Sequence, residues 1–251
     1  MNELIQDPVF LAVAVAAVMV IAIGKGGFAG GPVLVGVPLM SLAIDPIRAA
    51  AILLPILLLM DVFAVHAWWK KWDMDQLRVL VPGAVVGTLL GWLTFRYLSA
   101  DGLRVLVGLL AAGFSLHWFV FRDAGRGSGA PRRWQGVFWG SAAAFTSFAV
   151  HAGSPPLQVY LLGQNPTKTS FQATTVAFFF VVNWLKLGPY AQLGQLDVSN
   201  LSVSLVLAPL APIGVALGAW LHDKVNEQAF FRFTYAALLV IGLRLIYVGL
   251  S

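Results

Sequence analysis

Cysteine is absent from the 251-residue chain, which excludes disulfides, thiol nucleophiles and cysteine-built metal sites. Charge is nearly as scarce. Only 11% of the residues are Asp, Glu, Lys or Arg, against about 25% in ordinary soluble domains, and no polar stretch is long enough to build a soluble domain. Histidine is limited to His66, His117, His151 and His222, scattered without the ligand spacing of a zinc or haem site. No nucleophile–base pair and no cofactor motif accompanies them, so the chain reads as a non-enzyme with no metal and no cofactor. Positive charge before the first apolar run is also missing. The N-terminal stretch carries Glu3 and Asp7 instead, unlike a secretory signal peptide.

What the chain has in quantity is apolar sequence. Hydrophobic residues make up 59% of it, and charge-free runs cover 8–23, 29–44, 79–95, 105–121, 134–167, 169–185 and 198–221. Several approach the roughly 20 residues that span a bilayer as a helix. The net charge of +5 comes from Lys and Arg placed mostly between these runs, where they set orientation in a membrane. It does not point to nucleic acid. The expected fold class is an all-α polytopic membrane protein, with the lipid bilayer as its surroundings.

In order, residues 8–23 form a first apolar segment ended by Gly24-Lys25-Gly26-Gly27, and a second runs from about Ala29 to Ile44, loosened by glycines and prolines. Asp45-Pro46 starts a long segment to about Trp69, the basic loop Lys70-Lys71-Trp72 follows, and further segments cover 77–97 and 102–121. The most polar loop comes next, Arg122 to Arg133. After it the pattern recurs. Asp45-Pro46-Ile47-Arg48 matches Asn165-Pro166-Thr167-Lys168, each reading as helix N-cap, Pro at N1 and a cation two residues later. Pro82, Gly87 and Gly91 match Pro209, Gly214 and Gly218, and Ser99 and Asn226 fall at equivalent N-cap positions.

The chain therefore reads as one integral membrane domain of two homologous repeats, 1–122 and 132–251, joined by a cytoplasmic loop at 123–131. Each repeat holds two interrupted or re-entrant segments followed by three long transmembrane helices. An odd number of crossings inverts the second repeat relative to the first. Positive-inside placement of Lys70, Lys71, Arg78, the Arg122–Arg133 loop and Lys224 agrees with inverted repeats and puts both termini and the 187–200 loop outside. Arg96 and Arg104 fall on the wrong side.

The stretch from His151 to Tyr190 carries most of the candidate chemistry. His151-Ala152-Gly153-Ser154-Pro155-Pro156 is a polar, helix-breaking run inside apolar sequence. Breaks at membrane depth are tolerated where protein buries them or water reaches them, and they point to transporter binding sites. Ser154-Pro155 reads as N-cap and N1 of a short helix, whose N-terminus attracts anions. Gly30-Gly31-Pro32 is its counterpart in the first repeat. The alternative is that these glycines and prolines, Gly153 included, only allow close packing. Beyond Pro166, Thr175, Phe179, Asn183 and Lys186 lie along one helix face. Asn183 offers a hydrogen bond to an anion or to a neighbouring helix. Lys186 offers charge, or snorkels to the interface. Lys25 either attracts substrate or marks a cytoplasmic membrane edge. Asp61, the one carboxylate well inside an apolar run, is a candidate for proton coupling or for pairing with a Lys or Arg on another helix. His151 either meets an oxyanion or satisfies a backbone carbonyl. The tryptophans at 68, 69, 72, 134 and 139 flank the inferred cytoplasmic loops as an interface belt.

At Gly24-Lys25-Gly26-Gly27-Phe28-Ala29-Gly30-Gly31-Pro32, Pro38 and the alanines before Pro55, the chain resembles the sulfite exporter TauE/SafE family, also called the toluene-sulfonate uptake permease family. The second-half marks are His151 to Pro156, Tyr160-Leu161-Leu162 and Asn183-Trp184-Leu185-Lys186-Leu187. Lys25 within the first patch and the glycine-poor second patch depart from the family pattern. The resemblance implies secondary transport of sulfite, thiosulfate or an organosulfonate across the bacterial inner membrane without ATP hydrolysis. The partners expected are then a small anionic substrate, with protons as a candidate coupling ion and a homo-oligomer left open. An anion channel, or a transporter for a non-sulfur carboxylate or oxyanion, is the alternative.

Overall fold

The computed structural model describes residues 3–28, 31–95, 97, 99–121, 133–222, 224 and 227–250. Gly30, Arg96, Asn226 and the 123–131 loop lie outside the described residues. Every regular element described is helical: α1 (Glu3–Gln6), α2 (Pro8–Gly27), a 3-10 turn (Gly31–Val35) leading into α3 (Gly36–Met40), α4 (Pro46–Ala67), α5 (Met74–Phe95), α6 (Ala100–Phe121), α7 (Arg133–Val150), α8 (Ser154–Leu162), α9 (Lys168–Gln192), α10 (Val198–Leu207), α11 (Leu210–Leu221) and α12 (Glu227–Leu250).

The starts follow from local chemistry. Asp7 accepts from Val9 N at 2.9 Å with Pro8 in the first turn of α2, satisfying one of the amides a helix start leaves bare. Pro46 opens α4 after Asp45. Ser99 accepts from Gly102 N at 3.0 Å ahead of α6, as its position in the sequence predicts. The corresponding start in the second half lies later than expected. Asn165 takes a left-handed backbone (φ 49), and α9 begins at Lys168 with Thr167 as its cap, accepting from Ser170 N at 3.2 Å.

Two further boundaries differ from the sequence reading. The first segment does not end at Ile23: α2 runs through Gly24–Gly27 as one helix of 20 residues. The reason lies in packing. A side chain on Gly26 or Gly27 would collide with the carbonyl oxygens of Val215 and Gly218 on α11, so these glycines bring two backbones together rather than breaking one. In the second half, α10 and α11 meet at a 45° bend. Pro209 sits at that break, where it supplies no N–H to continue the ladder, whereas Pro82 lies inside the single helix α5.

Helix pairing is reciprocal. α2 packs along α11 and α7 along α5, while α6 lies against α12 and α4 against α9. Gly83 and Gly87 on α5 face the carbonyls of Val137 and Ser141 on α7, as Gly26 and Gly27 face α11. Gly108 and Gly242 lie at the crossing of α6 and α12.

Among the described residues, five helices are long and apolar enough to cross a membrane, or six if the bent α10–α11 pair counts as one span. The outer surface carries exposed leucines such as Leu89, Leu93, Leu205 and Leu243, whereas Lys25, Asp61, Asn183 and Lys186 are buried. A polar interior beneath an apolar exterior is the arrangement of a multi-pass membrane protein.

Candidate functional site

The buried polar residues converge where α2, α4, the α7–α8 break and α9 meet. Lys25 stands near the C-terminal end of α2. The last carbonyls of a helix lack partners within it, and here three neighbours supply them. Gln172 Nε2 donates to Lys25 O at 2.8 Å, Trp68 Nε1 to Gly26 O at 2.9 Å, and the His222 ring to Gly27 O. This fixes the stem of Lys25. Its ammonium pairs with Asp61 of α4 and lies 3.4 Å from Leu57 O. Asn183 Nδ2 donates to the second Asp61 oxygen at 2.7 Å. Lys25 and Asp61 are 5% and 1% exposed, so both are buried within the protein, and Asp61 has the cationic partner its burial requires.

A second cluster lies beside the first. α7 ends at His151, whose φ of 56 turns the chain into the break before α8. His151 Nε2 lies 3.0 Å from Ala50 O, and its Nδ1 lies 2.9 Å from Lys186 Nζ. Ala50 O only accepts, so the ring proton sits on Nε2 and Nδ1 accepts from the lysine. Lys186 Nζ also donates to Ser147 O at 2.8 Å. Lys186 is completely buried, so it does not snorkel. Tyr190 closes this cluster from behind, stacked 6.3 Å from the His151 ring and donating to Phe148 O at 2.8 Å.

Between the clusters lies a small cavity. Its polar lining is Lys25, Asp61, Ser147, His151, Ser154, Thr175 and Asn183, with Val33, Leu57 and Phe179 among the apolar walls. Thr175 Oγ1 is buried with no hydrogen-bond partner. Six expected residues thus surround one space: Lys25, Asp61, His151, Ser154, Thr175 and Asn183. Lys186 does not line it but sits behind His151. Gly31 and Gly153 are buried beside it without lining it, and a side chain on Gly153 would meet Ala143 O and the Phe179 ring. Ser154 is the first residue of α8, with Gly153 at the cap position.

A family model for the sulfite exporter TauE/SafE matches residues 11–245. The chain belongs to the sulfite exporter TauE/SafE family. No curated protein and no solved structure matches it. Membership implies a membrane transporter of sulfite-type sulfur anions. In this TauE/SafE chain, reasoning from sequence missed Ser147, Gln172 and Tyr190. Each carried a signal. Ser147 precedes His151 by one helical turn, and Gln172 and Tyr190 extend the Thr175–Asn183–Lys186 face of α9 by three and four residues at its two ends.

Proposed function

We propose that this TauE/SafE protein is a secondary transporter that moves sulfite, thiosulfate or an organosulfonate across the bacterial inner membrane. The observation that carries this reading is the unpartnered Thr175 hydroxyl, buried in a cavity that also holds Lys25, Asn183 and the start of α8. An orphaned buried hydroxyl is costly, and an oxyanion is the acceptor it lacks. Lys25 supplies full charge, Asn183 and Thr175 supply hydrogen bonds, and the α8 N-terminus adds partial positive charge. Lys186 is a positioning residue that orients the His151 ring. Gly153 lets the start of α8 pack closely against Ala143 O and the Phe179 ring, while Gly31 is a buried candidate in the first repeat.

The same reading takes the chain as two inverted repeats, 1–122 and 132–251, with 123–131 as the cytoplasmic connection and both termini outside. Reciprocal pairing supports it: the first segment of each half packs on the fourth segment of the other, and the last helices pack on each other. Arg104, a cation on the outer side in this arrangement, is ion-paired with Asp45 and Asp101, so it carries little orienting charge.

The test is flux in proteoliposomes. Uphill movement of sulfite or thiosulfate, without movement of neutral dimethyl sulfoxide, is the expected result. Downhill flux alone makes the protein an anion channel. Movement of a carboxylate in place of every sulfur anion overturns the substrate class.

A further inference from the structure

The proposed anion site already contains an anion. Asp61 is the one carboxylate lining the cavity among the described residues, and it is held by Lys25 on one oxygen and by Asn183 on the other. Those are two of the donors that a substrate oxyanion needs. Carboxylate and oxyanion therefore compete for the same ammonium and the same amide.

We propose that Asp61 is a resident counter-anion: the substrate displaces its carboxylate from Lys25 and Asn183, the freed carboxylate takes up one proton, and each anion binds together with that proton. This rests on the transport reading above. The charged groups around Asp61 leave few other outcomes. Lys25 faces it from α2, and Lys186 stands beyond from α9 with His151 beside it. The 31–40 segment, α10 and α11 contain no titratable residue. On α6, Arg104 pairs with Asp101 and with Asp45 at the opposite end of α4, and His117 is exposed. His66, further along α4 itself, is exposed as well. Once the substrate holds Lys25, an ionised Asp61 would be a second buried negative charge without its cation, an arrangement that neutralises by protonation. The proton comes from water on the open side and binds a carboxylate oxygen. Release of the anion restores the Lys25–Asp61 pair and frees the proton, so anion and proton cross in the same direction.

The experiment is calorimetric titration of the purified protein with thiosulfate and with ethanesulfonate, neither of which takes up a proton near neutral pH. Measurements in two buffers of different ionisation enthalpy count the protons bound. The expected result is one proton per anion, with affinity falling about tenfold for each pH unit of increase. Asp61→Asn, which keeps the shape of the carboxyl group, should bind both probes with no proton uptake and no pH dependence. The wild-type proton count decides the matter even if that variant does not fold. Binding without proton uptake, or uptake that persists in Asp61→Asn, overturns this inference and leaves the anion site standing. No binding of either probe to either protein overturns both.

Discussion

Lys186 and His151, 35 residues apart in sequence, meet at 2.9 Å between Nζ and Nδ1. The contact joins the C-terminal half of α9 to the left-handed residue that follows α7. A left-handed backbone costs a side-chain-bearing residue about 1–2 kcal/mol, and the two hydrogen bonds of the ring offset it. The contact also sets the tautomer: with Nδ1 accepting from the lysine, the N–H of His151 is committed to Ala50 O. Of the polar side chains that line the cavity, Thr175 is the one whose buried Oγ1 has no hydrogen-bond partner.

Replacing Lys186 by Met keeps length and bulk but removes the hydrogen bonds to the His151 ring and to Ser147 O. Loss of Nζ leaves His151 Nδ1 buried without its donor, which should destabilise the protein by about 1–3 kcal/mol. Sulfite or thiosulfate affinity should weaken as well, because the ring that borders the cavity is no longer held. Unchanged affinity would remove Lys186 from the site altogether.

Thr175→Val is nearly isosteric and deletes a hydroxyl that has no partner in the protein. Stability should not fall, because no internal hydrogen bond is lost. Anion affinity should drop by about 0.5–1.5 kcal/mol, the net worth of one hydrogen bond. A variant that melts lower and binds equally well would show that the hydroxyl serves the fold.

Glycines at the helix crossings should separate cleanly from those facing open space. Gly87→Ala and Gly218→Ala force a methyl group into the carbonyls of Ser141 and Ile23, and each should destabilise by about 1–3 kcal/mol. Gly113→Ala and Gly188→Ala meet nothing. They should be neutral or stabilising by up to about 1 kcal/mol. Thermal melts in detergent compare the four directly.

Inverted repeats place Lys71 inside and Val198 outside. The chain contains no cysteine, so Lys71→Cys and Val198→Cys each introduce a single thiol, at positions that are both exposed. An impermeant maleimide added to intact cells should label Val198→Cys and spare Lys71→Cys until the membrane is opened. The reverse pattern would turn the whole molecule over, and labelling of both would break the five-segment count.

The face of α9 was legible in the sequence because helical spacing alone puts Thr175, Asn183 and Lys186 in line. The His151 break was legible from its polar residues and prolines. The partners of these groups were not. Lys25 and Asp61 lie 36 residues apart on helices whose relative rotation is set by glycine contacts with α11 and by carbonyl caps from Gln172, Trp68 and His222. No local pattern encodes that rotation. The same distance effect explains the misplaced end of the first segment. Gly24–Gly27 has the composition of a break, and it stays helical because a distant backbone packs flat against it. Asn165-Pro166 has the composition of a cap and first turn. The left-handed Asn165 instead delays the helix to Lys168, and the Thr167 side chain caps it.

The exchange of helices between the halves bears on how the protein is made. Residues that leave the ribosome first present the glycine faces of α2 and α5, yet the surfaces that fit them arrive later, on α11 and α7. Until then those narrow faces rest against lipid chains, which fit them less closely than a backbone does. α6 waits longer still, since α12 follows every other described helix in the chain. A nascent chain halted between α6 and α12 therefore carries a bare glycine-bearing seam into the bilayer.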